Sequence, residues 1–465
     1  MIKMRENQIR IEPFEFVSIQ ELKIMRTVND HARASVSVQI KDAWEERYIG
    51  MLSGEIWVKI TGISGEVHTV LFHGVVTDYA FSHDGHGTVM ELSLASGSIL
   101  MDLQPHFRVF QNKKTLCTAV YEQITGTYPD GRVIVTDGAD DRTAGVLIQH
   151  HETDWEFLRR TAARTGRFMV ADAPRKGVRY ILGLPEGIQR KLPTDQLRTR
   201  LDMREYMEKT RGGMDWLRAA DMTELIITDR EICQIGDWMS YNRNNYYIYQ
   251  ILTDYCSGEC IHTYHLRKKE AVRPLPMPHE SVTGCAFDAV VTGVQRDRVQ
   301  VRIAGDEWKA QDGKKWFLYS TVYSSPDGTG WYCMPEEGDS VRLYVPDREE
   351  NSFVMSAVHR QTDAARQNPE YKSFKTKYGK EILFTPDSIL MTNNQGMMVE
   401  MNDNEGIMIT SDKDIVVAAK EDLTIASGSA SLLIAADNVL QVRQGGTSMT
   451  LNKDISFTGG EFRIQ

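Results

Sequence analysis

The sequence has no run of eighteen or more apolar residues, and its first residues are charged or polar. We therefore expect no transmembrane helix, because about twenty apolar residues are needed to cross a bilayer. The N-terminus, Met-Ile-Lys-Met-Arg-Glu-Asn, also lacks the apolar core of a secretory signal. These absences predict a protein that is made in the cytoplasm without a signal peptide and is moved later by other components.

Cysteine, tryptophan and proline are nearly missing from the end of the chain. No cysteine follows Cys333, no tryptophan follows Trp331, and Pro386 is the one proline after residue 380. The six cysteines are Cys117, Cys233, Cys256, Cys260, Cys285 and Cys333. Their scattered positions predict reduced thiols. The shortage of proline favours long stacks of strands, since proline removes a donor from the ladder.

Positive charge is in deficit. Lys and Arg number 54 against 64 Asp and Glu, which gives a net charge of -10. An acidic chain of this kind argues against nucleic acid as the main partner. The chain is 41% hydrophobic and 25% charged, which is ordinary for a folded soluble protein, and 465 residues predict two to four domains.

The last ninety residues repeat a short pattern about every eight residues. Apolar pairs with a spacing of two alternate with Asn, Asp, Gly, Ser, Thr and Lys, which is typical of strands separated by turns. The pairs are Ile382/Phe384, Ile389/Met391, Val399/Met401, Ile407/Ile409, Ile415/Val417, Leu423/Ile425, Leu432/Ile434, Val439/Val442, Met449/Leu451, Ile455/Phe457 and Phe462/Ile464. A fixed short period indicates a β-solenoid, in which one repeat cannot bury its apolar face alone. Two inward side chains per strand form a thin core, so we expect three chains to wind around one axis.

The first 275 residues predict a β-barrel hub with a helical insert around residues 101–165. Alternating strands dominate residues 35–94, and a helical period then appears at Lys113–Thr125 and Glu152–Arg164. Thr153 and Glu156 have the spacing of a capping box, and Gly166 is a natural helix stop. Residues 196–225 are charged and mixed, which predicts an irregular, partly helical excursion.

Two further segments follow a proline-rich linker at residues 273–278. Five short strands predicted over residues 280–359 have the size of an oligonucleotide/oligosaccharide-binding (OB) barrel: Val290–Val294, Arg298–Ile303, Trp316–Val322, Ser340–Val345 and Ser352–Val358. Residues 360–375 are polar and predict a second linker. The repeat then occupies residues 376–465.

Two motifs and the repeat, in this order, resemble the VgrG spike proteins and the tail hub proteins of phages. The first motif is Gln149-His150-His151-Glu152-Thr153-Asp154-Trp155-Glu156-Phe157-Leu158-Arg159-Arg160. The residues that match the family pattern there are Gln149, Glu152, Asp154, Trp155, Phe157 and Leu158. The second motif runs from Gly330 to Val341 and contains Gly330, Trp331, Pro335, Gly338 and Asp339.

The resemblance implies a mainly β homotrimer with a barrel hub, an OB-fold barrel and a triple-stranded β-helix needle. It implies a structural spike at the tip of a contractile injection machine, namely a phage tail, a type VI secretion system or an extracellular particle. The implied partners are an Hcp-like inner tube ring, a PAAR-type tip protein, baseplate proteins and effectors. Firing would deliver the assembly outside the cell or into a target.

Enzymatic activity is not expected, and no cofactor is implied. We expect no lysozyme-like domain between barrel and repeat and no cargo domain after Gln465. The sequence contains no G-x-S-x-G motif or phosphate loop. A spike-borne cell-wall hydrolase and a trimeric receptor-binding fibre remain as alternatives.

Two clusters could carry binding. Cys256, Cys260, His262 and His265 have four possible zinc ligands within ten residues, but strand alternation would place Cys260 and His262 on one face and His265 on the other. We therefore favour no metal site.

The second cluster is the end of the needle, where an apolar surface could bind a tip protein. Its candidate residues are Phe457, Gly459, Gly460, Phe462 and Ile464. The same side chains could equally close the needle's interior. His150 and His151 beside Glu152 and Asp154 could suggest acid–base chemistry, but acidic residues at the start of a packing helix are the favoured interpretation.

Overall fold

The computed structural model describes residues 9–64, 66–83, 85, 87–112, 114–143, 145–256, 259–309, 315–359 and 367–459, with only the backbone of Ser64 and Cys256. The chain forms two compact units, Met1–Arg360 and Gln361–Gln465. Within these described ranges, no helix is long and apolar enough to cross a membrane.

Among the described residues, the α-helices lie in the first unit. They are α1 (Glu45–Leu52), α2 (Cys117–Thr125), α3 (Asp154–Arg164), α4 (Met203–Arg211) and α5 (Lys269–Val272). The strands of this unit are β1 (Ile9–Glu12), β2 (Ser18–Thr27), β3 (Arg33–Ile40), β4 (Trp57–Ser64), β5 (Val67–His83), β6 (Thr88–Ser96), β7 (Pro105–Phe110), β8 (Arg132–Val135), β9 (Leu147–Thr153), β10 (Met169–Ala171), β11 (Arg179–Leu182), β12 (Arg198–Arg200), β13 (Glu224–Asp229), β14 (Trp238–Tyr241), β15 (Asn244–Cys256), β16 (Glu259–Arg267), β17 (Ala286–Gln295), β18 (Arg298–Ile303), β19 (Phe317–Leu318), β20 (Ser340–Tyr344) and β21 (Phe353–Met355).

One large antiparallel sheet organises the residues before the proline-rich linker. Its order is β1-β4-β5-β6-β3-β2-β15-β16-β13-β12, with β14 paired to β15. In β3 the buried residues Ala34, Val36, Val38 and Ile40 alternate with more exposed ones, as a period of two requires. The pairing of β2 with β15 joins sequence-distant strands. The prediction of a mainly β fold is confirmed.

The helical insert packs on small sheets. Helices α2 and α3 share an apolar core with the β10-β11-β8 sheet. Residues of this core include Tyr121 and Ile124 of α2 and Leu182 of β11. The first predicted helix begins at Cys117 rather than Lys113. The second begins at Asp154 rather than Glu152, because β9 pairs with β7 up to Thr153. The predicted capping box of Thr153 and Glu156 is confirmed.

A five-stranded barrel follows the linker. Its order is β19-β18-β17-β20-β21, and a parallel bridge between Tyr319 and Val354 joins the two ends. This connectivity is that of an OB fold. Two predicted strands are shorter than expected: Trp316–Val322 reduces to β19, and Ser352–Val358 reduces to β21. Residues 319–334 instead form an irregular arch in which Ser324 bridges Gly330.

The second unit contains two antiparallel meanders. The first comprises β22 (Lys372–Lys375), β23 (Glu381–Phe384), β24 (Ser388–Thr392), β25 (Met398–Asn402) and β26 (Gly406–Thr410), and the second comprises β27 (Leu440–Gln444), β28 (Thr447–Leu451) and β29 (Ile455–Thr458). Residues 411–439, all of which are described, form no strand within the chain. Strand β22 lies inside the predicted linker at 360–375, and the stretch without strands makes the repeat less uniform than the pattern indicated.

Candidate functional site

The helix motif supplies core side chains rather than a ligand surface. Trp155, Phe157 and Leu158 of α3 are buried and belong to the apolar cluster around α2 and the small sheet. The indole of Trp155 lies 4.5 Å, centroid to centroid, from the imidazole of His31. These three motif residues therefore hold α3 against the rest of the first unit.

The polar residues of the motif meet around Asp154, which is fully buried. Its carboxylate accepts hydrogen bonds from Arg108 Nη1 at 2.6 Å, Tyr128 Oη at 2.7 Å and Gln149 Nε2 at 2.8 Å. Burial and this carboxylate raise the pKa of Tyr128. The structure thus brings Gln149 and Asp154 together, and the network ties β7, β9 and α3.

A hydrogen-bonded series of three side chains, a serine, a histidine and an aspartate, lies beside this network. Ser98 Oγ lies 2.8 Å from His31 Nδ1, and His31 Nε2 lies 2.7 Å from Asp102 Oδ2. Burial alone would raise the pKa of Asp102, but hydrogen bonds from His31 and Thr153 outweigh it and lower the pKa. Sequence reasoning missed this hydrogen-bonded series because no local spacing connects its three residues.

The three residue types are those of a hydrolytic triad. Ser98 and His31 are buried, however, and Ser98 Oγ lies 2.9 Å from Ser96 Oγ. A substrate cannot reach this hydroxyl in the structure. The hydrogen-bonded series therefore links the turn before β3 to the start of α3. Its buried serine is not the exposed nucleophile that acyl transfer requires.

The barrel is fixed to the sheet region at a joint made of opposite charges. We call residues 9–272 the hub region and residues 282–359 the barrel region. Glu349 of the barrel is buried, and its carboxylate lies 2.8 Å from Arg164 Nη1 and 3.3 Å from Arg160 Nη2, both on α3. It also accepts a hydrogen bond from the backbone N–H of Ile148 at 3.0 Å. His279, which follows the proline-rich linker, has its Nδ1 3.1 Å away.

A second barrel carboxylate, Glu307, meets the hub at β7. It lies 2.9 Å from His106 Nδ1, accepts the Phe107 N–H at 2.9 Å, and lies 3.4 Å from Arg108 Nε. Burial alone would raise the pKa of Glu307, but these hydrogen bonds outweigh it and lower the pKa. Both barrel carboxylates of the joint thus meet arginines and backbone N–H groups of the hub.

Apolar packing continues across the same joint. Val109, Val146 and Ile148 of the hub lie in one buried cluster with the barrel core. The rings of Phe107 and Phe287 stack with centroids 5.5 Å apart. Hub and barrel therefore share a core, which the charged contacts flank.

The barrel motif shapes a turn. A Cβ at Gly330 would lie 2.4 Å from Tyr323 O, and Gly338 has a φ of +95°, so both positions favour glycine. Asp339 Oδ2 accepts the Glu336 N–H at 2.8 Å, and Pro335 is buried. Trp331 is exposed and lines an open cleft of about 880 Å³ together with Trp316, Tyr319 and Tyr332.

The cysteine–histidine cluster lies on β15 and β16. Cys260 and His262 are buried, and His262 Nδ1 lies 2.8 Å from Thr253 Oγ1. His265 lies on the other face, with Nδ1 3.0 Å from Glu224 Oε1. Burial lowers the pKa of His262 to about 4. The Cys256 side chain is outside the described set, and among the described side chains no group of three His, Cys, Asp or Glu could hold a metal.

The candidate tip is described in part. Phe457 lies on β29 opposite Met449 and is half exposed. Gly459 has a φ of +100°. Gly460, Phe462 and Ile464 lie outside the described residues. An interface with a tip protein at this end stays a prediction.

The apolar repeat is exposed in the single chain. Ile407 is 73% exposed, Ile415 is 56% exposed and Leu432 is 53% exposed. No apolar residue after Val354 is buried in the described part of the second unit. An exposed apolar surface of this extent marks an interaction site. It is formed by the same apolar pairs that the sequence pattern predicted to face the inside of a needle.

A family model described as the phage tail baseplate hub (GPD) matches residues 51–194. These residues run from α1 through the helix motif. A search of curated protein sequences gave no match. The sequence-level likeness is therefore confined to part of the hub region.

Solved structures extend the likeness to most of the chain. An E. coli protein described as a component of the type VI secretion system, with structural similarity to the T4 bacteriophage tail proteins gp27 and gp5, matches with a TM-score of 0.53 and 12% identity over 76% of this chain and 99% of its own. The half-lidded Francisella PdpA–VgrG complex matches with a TM-score of 0.57 and 9% identity over 88% of each chain. The lidless PdpA–VgrG complex gives a TM-score of 0.54 and 9% identity over 88% of this chain and 98% of that chain.

At these identities the solved structures establish the fold, and the hub match adds sequence evidence for its first part. The resemblance predicted from the two motifs and the repeat is confirmed: this chain has the fold of a VgrG-like hub–spike protein.

Proposed function

We propose that this chain is a structural spike at the tip of a contractile injection machine, where three copies join an inner tube to a needle. The observation that carries the proposal is the exposed apolar repeat. A chain that leaves Ile407, Ile409 and Ile415 in water loses hydrophobic free energy, about 25 cal/mol for each Å² that a partner could cover. Two further copies of the same repeat offer matching apolar faces along the whole length.

Residues 411–439 support the same proposal. They carry three apolar pairs, Ile415/Val417, Leu423/Ile425 and Leu432/Ile434, but form no strand within the chain. Backbone N–H and C=O groups need partners when they are buried. Winding three chains around one axis would supply both the ladder partners and the closed core.

The mechanical role follows from such an assembly. A closed triple-stranded β-helix has no free strand edges, and the joint made by Glu349 and Glu307 holds the barrel on the hub. Axial force applied to the hub would pass through the barrel to the needle. This proposed role requires no catalysis.

Partners are proposed by likeness. The relatives solved in complex with PdpA suggest that this chain binds a further protein. From the family resemblance we propose an Hcp-like tube ring at the hub, a PAAR-type tip protein at the needle's end, and baseplate proteins and effectors as partners. Delivery outside the cell or into a target would follow from firing.

The proposal is tested by the mass of the purified full chain in multi-angle light scattering. The expected mass is about 159 kDa, three times the 52.9 kDa of one chain. A chain ending at residue 360, after the first compact unit, should lose most of its association. A monodisperse full-length monomer would contradict the proposal, because the repeat would then be stable without partners.

A further inference from the structure

The arch of the barrel, residues 319–334, has internal hydrogen bonds but no buried residue. The Trp331 N–H donates to Tyr323 O at 2.8 Å, and the Thr321 hydroxyl donates to Trp331 O at 2.9 Å. All residues of the arch are described, and none of them is buried. The arch is therefore a preformed projection that its own barrel does not cover.

The composition of the arch is that of a protein interface. It contains four aromatic residues and one charged residue, Asp327, whereas the chain as a whole is 25% charged. The centres of protein interfaces are depleted in charged residues and enriched in Tyr, Trp and Met. Val322 is 97% exposed and Tyr332 is 74% exposed. Apolar and aromatic side chains that lie together in water mark an interaction site.

A surface that could receive the arch lies on the same barrel. The open cleft of about 880 Å³ has aromatic walls, and Trp316 and Phe353 contribute to them from outside the arch. Among the described residues, two charged side chains of each sign line this cleft: Asp297, Glu350, Arg298 and Lys315. The cleft is therefore close to neutral, and it suits an apolar projection better than a charged ligand.

The arch does not close the cleft of its own barrel. Trp331 and Tyr332 of the arch already form part of the cleft wall, and the cleft stays open. A second copy of the chain carries the same arch and the same cleft. A contact from the arch of one copy to the cleft of the next is heterologous, and such contacts form a ring when the rotation closes.

The length of the connection to the repeat favours a second copy as the occupant. Strand β21 ends at Met355 and β22 begins at Lys372. The intervening residues, 356–371, can span at most about 55 Å when fully extended. Three copies joined through their repeats would therefore hold their barrels within reach of one another, at a high effective concentration.

We propose that the arch of each barrel docks into the cleft of a neighbouring copy, so that three barrels form a closed ring. The inference rests on the proposed function, because it needs three copies of the chain. It adds a second contact between copies, made by aromatic side chains of the barrel and separate from the apolar repeat. Such a ring would keep the three barrels from turning independently under load.

Alkylation of the native cysteines of the full-length protein with iodoacetamide, followed by peptide mass mapping, tests the inference. Cys333 belongs to the arch, lines the cleft and is exposed in the single chain. In the trimer it should react at least about tenfold more slowly than in the full-length variant Ile409→Asp, which should be dissociated, because a covered thiol reacts only after local opening. Cys285, a partly exposed thiol of the same barrel that does not line the cleft, should react equally fast in both proteins.

Light scattering of the same samples separates this inference from the proposed function. A trimer whose Cys333 reacts as fast as in the dissociated chain would overturn the inference and leave the proposed function standing. Slow labelling in the dissociated chain as well would mean that the chain's own residues cover Cys333, and this too would overturn the inference. A monomeric wild type would contradict both proposals. If Ile409→Asp stays trimeric, the chain ending at residue 360 replaces it as the reference.

Two aspartate variants test whether the arch is the docking element. Val322→Asp places a charge on the arch, so Cys333 should react nearly as fast as in the dissociated chain, while the mass stays that of a trimer because the repeat is unchanged. Ala286→Asp adds the same charge at an exposed position of β17 that does not line the cleft, and it should keep the slow labelling. Slow labelling of Cys333 in Val322→Asp would contradict docking through the arch.

Discussion

Arg108 Nη1 lies 2.6 Å from Asp154 Oδ1, with both side chains buried at the start of α3. A buried ion pair is strongly destabilising when one partner is removed, because the remaining charge stays desolvated. The same Arg108 also lies 3.4 Å from Glu307 of the barrel through Nε, and its guanidinium lies 4.5 Å from the Trp308 ring. The helix motif and the barrel are therefore coupled through one guanidinium.

The first prediction concerns this pair. Asp154→Ala should lower the stability of the first unit by about 3–5 kcal/mol, because Arg108 loses its buried counter-charge and Tyr128 loses its acceptor. Calorimetric melting of the full chain should show the transition of this unit shifted downward by several degrees. Asp195→Ala at an exposed position is the control. A shift no larger than that of the control would mean that the pair contributes little.

The second prediction concerns the helix cap. Thr153 Oγ1 accepts a hydrogen bond from the Glu156 N–H, and the Glu156 carboxylate accepts one from the Thr153 N–H. Thr153 also donates to Asp102. Thr153→Ala should cost about 1–2 kcal/mol, at the upper end for a cap because the bond to Asp102 is lost as well. Thr153→Ser keeps the hydroxyl and should recover most of the stability in the same melting experiment. Equal losses in both variants would contradict the hydrogen-bonding explanation.

Local features of the fold were predictable from the sequence. The capping box has its two partners three residues apart, and the apolar pairs of the repeat are two residues apart. Such short spacings are visible without knowledge of tertiary structure. Helix α3 still begins later than predicted, because pairing of β9 with β7 competes for Glu152 and Thr153.

The charged joint could not be predicted from the sequence. Glu349 and Arg160 are separated by 189 residues, and Glu307 and His106 by 201. No spacing rule connects such positions, and neither glutamate differs locally from a solvated surface residue. Only the docking of the barrel on the hub shows that Glu349 is buried.

The third prediction tests the repeat. Ile409 and Thr410 are neighbours on β26 and point to opposite faces. Ile409→Asp places a charge on the face that we expect to be shared among chains, so light scattering should show loss of the trimer. Thr410→Asp adds the same charge to the other face and should leave the mass unchanged. If both variants kept the full mass, the shared apolar face would be wrong.

The fourth prediction concerns acid sensitivity at His262. This histidine is buried, which lowers its pKa to about 4 from an ordinary 6.5. The unfolded chain therefore binds its proton more tightly than the folded chain does, and folding stability from this residue falls as the pH drops from about 6.5 toward 4. A shift of this size corresponds to about 3 kcal/mol across the window.

His262→Gln removes the titrating group while keeping a donor and an acceptor near Thr253. Urea unfolding of the hub transition at pH 7.5 and 4.5 should show a smaller difference in the variant than in the wild type, even if the variant is less stable at both values. His68→Gln, at an exposed position, should keep the wild-type difference. A pH difference in His262→Gln as large as that of the wild type would contradict the prediction.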